Sequence, residues 1–238
     1  MNLVSLQLKT TNNFEENLQN LTDIIKKIEP HSLILAPELA LSGYAYDKMD
    51  EAFEISKIAI KLLTKLSSNQ TIAITFIIKK NTNFYNTFYL FHKGKIIHTQ
   101  SKHKLFILND ENKYFTSGDE TSIKLIEIEG LKIGILICFE LRFIELLTKL
   151  KGADIILIPA MWGKSRKEHL ETLTKSLAIM NQCYVVVSNS ADDNMAKGSG
   201  IITPFGDEFK DDSQSIISKK LNSSLIKKMR RYINIGIN

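Results

Sequence analysis

Hydrophobic and polar positions along the chain fall into two rhythms, one of strand length and one of helical spacing. Residues 2–8 alternate as a strand. Asn13-Phe-Glu-Glu16 resembles a capping box and opens a helix with Leu18, Leu21, Ile24, Ile25 and Ile28 on one face, ended by Pro30. Residues 32–36 are nearly all apolar, as in a strand covered on both faces. Apolar spacing predicts a second helix over about 50–66. Strands over 71–78 and 84–91 follow, joined by the turn-prone Lys80-Asn-Thr-Asn83, and His92-Lys-Gly-Lys95 turns into a strand over 96–99. A polar loop, 101–121, precedes strands over 123–128 and 131–137 around a turn at Gly130. Then come a helix over 141–150, a strand over 154–158 and a helix from about 166 to 181. Strands over 184–188 and 199–203, a turn at Pro204-Phe-Gly206 and a basic helical stretch over 222–232 complete the chain. Strands alternating with helices predict an α/β fold, and the hairpins require mixed sheets. No repeat of fixed period is present.

The strand over 131–137 ends at Cys138, and a helical pattern starts at once with Leu141, Ile144, Leu147 and Leu150. A strand turning sharply into a helix lifts the residue at the turn out of the sheet edge and leaves backbone N–H groups free nearby. Both features suit a thiolate, whose pKa a helix N-terminus lowers and whose reaction creates an oxyanion for those N–H groups. Taken alone, a lone cysteine is more often a small buried apolar residue.

Two other strand ends carry reactive groups. Glu38 follows the strand 32–36 and Pro37, and Lys102 follows the strand 96–99. Reacting groups gather at strand ends in open α/β folds. A carboxylate can take the proton of a thiol, and an ammonium can hold the developing oxyanion. The separate alternatives are an ordinary loop carboxylate and a solvated lysine. A cysteine paired with histidine is the rival arrangement. The histidines at 31, 92, 98, 103 and 169 fall in turns, strand ends or polar patterns, and only His103 lies near the other candidates in sequence.

Composition narrows the field further. The 238 residues show no linker or composition break, so one domain over 1–238 is expected. Two cysteines, Cys138 and Cys183, cannot form a disulfide scaffold and fit a reducing compartment. The N-terminal stretch lacks the basic flank and apolar core of a signal peptide, and no run approaches a membrane span, so a cytoplasmic protein is expected. The net charge of +5 comes from lysines spread over the helices, without an aromatic-and-basic motif for nucleic acid. Scattered histidines and the absence of glycine-rich phosphate motifs give no reason to expect a metal or a cofactor.

The residues reach a known family at several points. Ala36-Pro-Glu38-Leu-Ala-Leu-Ser-Gly-Tyr44 resembles the first signature of the nitrilase superfamily, the carbon–nitrogen hydrolases. Ser101-Lys102-His-Lys-Leu105-Phe106 resembles its lysine signature, and Ile137-Cys138-Phe-Glu-Leu-Arg142-Phe its nucleophile signature. Glu111-Asn-Lys-Tyr-Phe-Thr-Ser-Gly118, Ile158-Pro-Ala-Met-Trp162 and Asn181-Gln-Cys-Tyr-Val185 match in the family's order. The resemblance implies a four-layer αββα sandwich and a Glu38–Lys102–Cys138 triad. Glu38 would be general base and then acid, and Cys138 would form a thioester acyl-enzyme. Lys102 would stabilise the tetrahedral intermediate together with the Phe139 backbone N–H. Glu111 matches a second family glutamate that helps orient substrate or lysine. Pairing through outer helices implies a homodimer or higher homo-oligomer. Leu177-Ala-Ile-Met180 and Met161 depart from many amidase-type relatives. The expected substrate is a small linear amide, with a nitrile, an N-carbamoyl acid or a silent binding relative as alternatives. Phe139, Met161 and Trp162 are the expected pocket walls.

Overall fold

Four buried residues in a row at β2 (Ser32–Leu35) need partners on both faces, and the computed structural model, which describes residues 1–237, supplies them. Leu33 and Leu35 join Leu3, Ala73, Phe88 and Leu90 in an inner layer. Ile34 joins Val4, Leu6, Ile72 and Ile74 on the opposite face, beneath α1 (Phe14–Lys27) and α2 (Met49–Leu66). The strands β1 (Asn2–Leu6), β2 and β3 (Thr71–Lys80) run parallel, and β4 (Asn83–His92) and β5 (Lys95–Ser101) continue the sheet as antiparallel hairpins. The Asn13 side chain caps α1 by accepting from Glu16 N at 3.0 Å, while its own N–H goes to Thr11 Oγ1.

The second sheet repeats the plan. β7 (Leu131–Ile135), β8 (Ile155–Pro159) and β9 (Tyr184–Ser188) are parallel at its centre. β6 (Ile126–Ile128) flanks them on one side, and β10 (Gly200–Ile202) and β11 (Glu208–Lys210) on the other. Leu146 of α4 (Ile144–Lys149), Leu170 and Leu177 of α5 (Lys167–Asn181) and Ile226 of α6 (Ser223–Tyr232) are buried with this sheet. The layers are therefore helix, sheet, sheet, helix, with both sheets mixed as the hairpins required. Buried hydroxyls stitch the sheets together: Ser5 Oγ donates to Val187 O at 2.5 Å, and Ser188 Oγ donates to Leu6 O. After β2 and β8 the loops of the two sheets meet, where Glu38 N donates to Ala160 O at 3.2 Å. Among the described residues no helix is long and apolar enough to cross a membrane.

Three expectations change. The helix over 141–150 is a 3-10 turn, Cys138–Arg142, followed by α4, because Phe143 is extended (φ −106°, ψ 105°) and meets the Phe139 ring edge to face at 5.1 Å. The strand over 123–128 begins only at Ile126, because Asp119 caps a 3-10 turn at Glu120–Ser122. β11 and β12 (Ile216–Lys220) lie beyond the turn at Pro204 and had no apolar rhythm to reveal them. β12 pairs with β1 at the sheet edge, and of its side chains only Ile217 is buried.

Gly118 closes the loop that returns to the end of β5, donating its N–H to Lys102 O at 2.8 Å. A Cβ there would sit 2.1 Å from Ser101 O, which only a backbone shift can relieve. Gly118→Ala is therefore expected to cost about 1–3 kcal/mol of stability in urea unfolding. An unchanged midpoint would show that the loop is not fixed there.

Candidate active site

The backbone at the end of β7 stays extended through Ile137 and then reverses at Cys138, which takes a left-handed conformation (φ +52°). Such a conformation is costly for a residue with a side chain and persists only where the surroundings enforce it. Glu140 does part of the enforcing. Its fully buried carboxylate accepts from Ile137 N through Oε2 and from His103 N through Oε1, each at 2.7 Å. It thus ties the turn bearing Cys138 to the residue after Lys102. Burial raises the pKa of this carboxyl, and the backbone hydrogen bonds work against that rise.

Lys102 leaves β5 with its side chain fully enclosed. Nζ donates to Glu38 Oε1 at 2.8 Å and to Glu111 Oε1 at 2.7 Å, with Tyr44 Oη at 3.2 Å. Burial alone would lower its pKa. The charges around it, Glu38 foremost, outweigh burial and hold it above the usual lysine value. Glu111 opens α3 (Glu111–Tyr114), accepts from Tyr44 Oη at 2.6 Å and takes Phe106 N on Oε2 at 3.0 Å. Glu38 Oε1 also accepts from Asn86 Nδ2 at 2.9 Å, whereas Glu38 Oε2 is buried with no partner at hydrogen-bonding distance.

The expectation of a depressed thiol pKa is overturned. Burial first, and then the Glu38 charge, push Cys138 well above the usual thiol value, against the pull of Lys102 and of a hydrogen bond from the Met161 backbone. The turn bearing Cys138 is a short 3-10 piece, and its few N–H dipoles do not overcome a buried carboxylate next to the sulfur. These effects together favour the protonated thiol over the thiolate.

The structure thus brings Glu38, Lys102, Glu111 and Cys138 together. Phe139, Met161 and Trp162 line a cavity of about 400 Å³ that also reaches Cys138. Trp162 is nearly enclosed and held by Asn189, which accepts from Trp162 N at 2.7 Å and donates to its carbonyl at 3.2 Å. Leu177 is buried in α5, and Ile179 and Met180 are exposed on it. None of the three lines this cavity, so the departures at Leu177 and Met180 do not shape it, whereas the departure at Met161 does. Among the described residues no histidine hydrogen-bonds Cys138. His103 faces Gly118 O at 2.9 Å, and His169 accepts from Arg142 Nη2 at 3.1 Å. Nor does any group of three or more His, Cys, Asp or Glu side chains among them suit a metal ion.

Sequence reasoning missed Tyr44, Asn86, Asn189 and Glu140. Tyr44 and Glu140 fall inside the stretches already singled out, and a carboxylate two residues after Cys138 was the available signal. Nothing in the local pattern marks Asn86 or Asn189.

The carbon–nitrogen hydrolase model matches residues 3–229. The chain belongs to that family. A 2-oxoglutaramate amidase of Bacillus subtilis is 35% identical over 203 residues, covering 80% of this chain and 78% of that protein. Omega-amidase YafV of Escherichia coli is 28% identical over 174 residues, covering 73% and 67%. Among solved structures, Saccharomyces cerevisiae Nit3, a nitrilase-superfamily member, superposes with a TM-score of 0.84 at 23% identity, covering 99% of this chain and 95% of that one. This carbon–nitrogen hydrolase therefore acts on C–N bonds other than peptide bonds, and these two relatives are named as amidases.

Two outcomes test the geometry of this hydrolase. Glu140→Gln replaces one of two acceptor oxygens by a donor facing a buried N–H, and should cost about 1–3 kcal/mol in denaturant unfolding together with turnover. Full stability and activity would remove the tie from the account. A raised thiol pKa means less thiolate at neutral pH than free cysteine has, so iodoacetamide labelling of Cys138 should keep rising beyond the ordinary thiol value of 9.0. Glu38→Gln deletes a charge that raises that pKa, so the labelling profile should move to lower pH. Movement to higher pH would contradict the assignment.

Proposed function

We propose that the protein hydrolyses a small linear amide through a thioester on Cys138, with Glu38 as the proton carrier and Lys102 as the oxyanion partner. The observation that carries this reading is the Glu38 carboxylate. One of its oxygens is fixed by Lys102 and Asn86, and the other is buried without a partner beside a neutral thiol. A thiol held neutral needs a base at the moment of attack, and a carboxylate with a free oxygen is suited to that task.

Glu38 takes the Sγ proton as Sγ attacks the amide carbon. The carbonyl oxygen becomes an oxyanion facing Lys102 Nζ and the Phe139 N–H, one of the first N–H groups of the 3-10 turn, which have no partner within it. Collapse of the intermediate breaks the C–N bond, and Glu38 returns the proton to the leaving ammonia or amine. Glu38 then takes a proton from water attacking the thioester. A second collapse releases the acid and restores the thiol. Glu111 and Tyr44 keep Nζ in place between the two carboxylates. Phe139, Met161 and Trp162 serve as walls for the acyl chain. The amide preference is supported by the two amidase-named relatives.

The same reading extends to assembly and location. Ile179 and Met180 on α5, with Phe205 nearby, form an exposed apolar face suited to a second copy of the chain. Two buried free cysteines suit a reducing compartment such as the cytoplasm.

Intact-mass spectrometry during incubation with small amides, ureido acids and nitriles tests the mechanism. The expected result is an acyl adduct with ammonia release on wild type, and neither on Cys138→Ala. Lys102→Arg should also abolish turnover, because a planar fork cannot replace a compact ammonium between two carboxylates. Activity near wild type in either variant would overturn the assignment.

A further inference from the structure

Asn86 is buried in β4, yet only half of its side-chain amide is used. Nδ2 donates to Glu38 Oε1 at 2.9 Å, while Oδ1 is buried without a hydrogen-bond partner. A carboxylate only accepts, so the NH2 end of the amide must face Glu38. An apolar side chain of similar size would avoid the orphaned acceptor, which is a cost to folding. The residue type at this position therefore answers to Glu38 rather than to packing.

The main chain of the same residue serves Lys102. Asn86 O accepts from Lys102 N at 2.8 Å, one step beyond the last β4–β5 pair, Thr87 with Ser101. Asn86 thus holds the proton carrier through its side chain and the cation through its backbone, from one position in the sheet. Neighbouring β3 fixes the chain around Glu38. Thr75 Oγ1 accepts from Leu39 N at 2.6 Å, and Leu39 is left-handed (φ +48°). With the backbone set, what remains is the aim of the carboxylate. The last torsion of a glutamate is soft and roughly two-fold, so a single contact does not decide which oxygen faces the thiol. Lys102 Nζ and Asn86 Nδ2 converge on the same oxygen, Oε1, and together they do decide it.

We propose that Asn86 is a positioning residue for hydrolysis, locking Glu38 Oε1 so that Oε2 alone takes and returns the proton at Cys138. This rests on the amidase reading above and adds to it what selects the working oxygen. Asn86 does not line the cavity that reaches Cys138, so its effect belongs to kcat and not to KM.

The experiment measures ammonia release from acetamide, butyramide and glutaramide by wild type, Asn86→Leu and Asn86→Asp across pH, with urea unfolding to confirm that each is folded. Asn86→Leu keeps size and burial without the donor. Its kcat should fall at least about tenfold, as expected for loss of a hydrogen bond to a charged group, with KM unchanged. Asn86→Asp keeps the shape and sets a second carboxyl against Oε1. Ionised, that carboxyl repels Glu38; protonated, its O–H donates to Oε1 in place of the amide. Its kcat should be low at neutral pH and recover in part on acidification, whereas wild type and Asn86→Leu gain nothing there. Lys102, Glu111, Tyr44 and Cys138 face the same enclosure in all three proteins, so the difference belongs to position 86. A residue that only packs would show no such recovery. Undiminished kcat in Asn86→Leu, a loss confined to KM, or an Asn86→Asp profile parallel to wild type would overturn the positioning role and leave the amidase reading standing. If Asn86→Leu does not fold, the acid recovery of Asn86→Asp decides alone. Wild type that releases no ammonia from any of the three amides would sink the amidase reading and the positioning role with it.

Discussion

One ammonium, Lys102, faces two carboxylates with no access to solvent, and the rest of the site is arranged around that contact. Charges removed from water are costly unless they are paired and hydrogen-bonded. Here Nζ meets the Glu38 and Glu111 carboxylates closely and the Tyr44 hydroxyl at 3.2 Å, the contact an oxyanion would replace. Removing one partner of such a group leaves the other uncompensated, at about 3–5 kcal/mol in comparable buried pairs. Glu38 lies 64 residues from Lys102 in sequence, whereas Glu111 lies nine away, so the ion cluster fixes the loop after β2 against the segment that follows β5. It also leaves one Glu38 oxygen without a donor, which is where the chemistry has room to begin.

The same burial decides the resting state of the nucleophile. A thiol next to a lysine in water would ionise more readily, but in this enclosure the loss of hydration and the Glu38 charge outweigh the lysine. Cys183, just before β9, is also buried, and burial pushes it up to about 12. What separates the two is the surroundings. Cys138 has a carboxylate, a cavity and a strained backbone at hand, whereas Cys183 lies in an apolar core.

Glu140 shows how the scaffold carries that strain. Its two oxygens hold the turn before Cys138 and the turn after Lys102, so the nucleophile and the cation are set by one side chain anchored in neither strand. Asn189 performs a similar task for Trp162 from the end of β9. Both are buried polar groups satisfied mostly by backbone, so each ties two loops to one another.

By itself the sequence determined the alternation of strands and helices, the mixed character of the sheets, and the positions of Glu38, Lys102, Glu111 and Cys138 within recognisable stretches. Those features follow from local periodicity and from residue types at fixed spacings, which a single chain displays directly. The polar edge strands β11 and β12 were hidden, because pairing with a neighbour's backbone needs no apolar rhythm. Only the tertiary structure decided that Cys138 favours the protonated thiol, that Glu140 and Tyr44 belong to the site, and that the Asn86 amide reaches Glu38. Each of these depends on burial and on contacts between segments distant in sequence, and no local pattern carries the dielectric or the neighbours that set them.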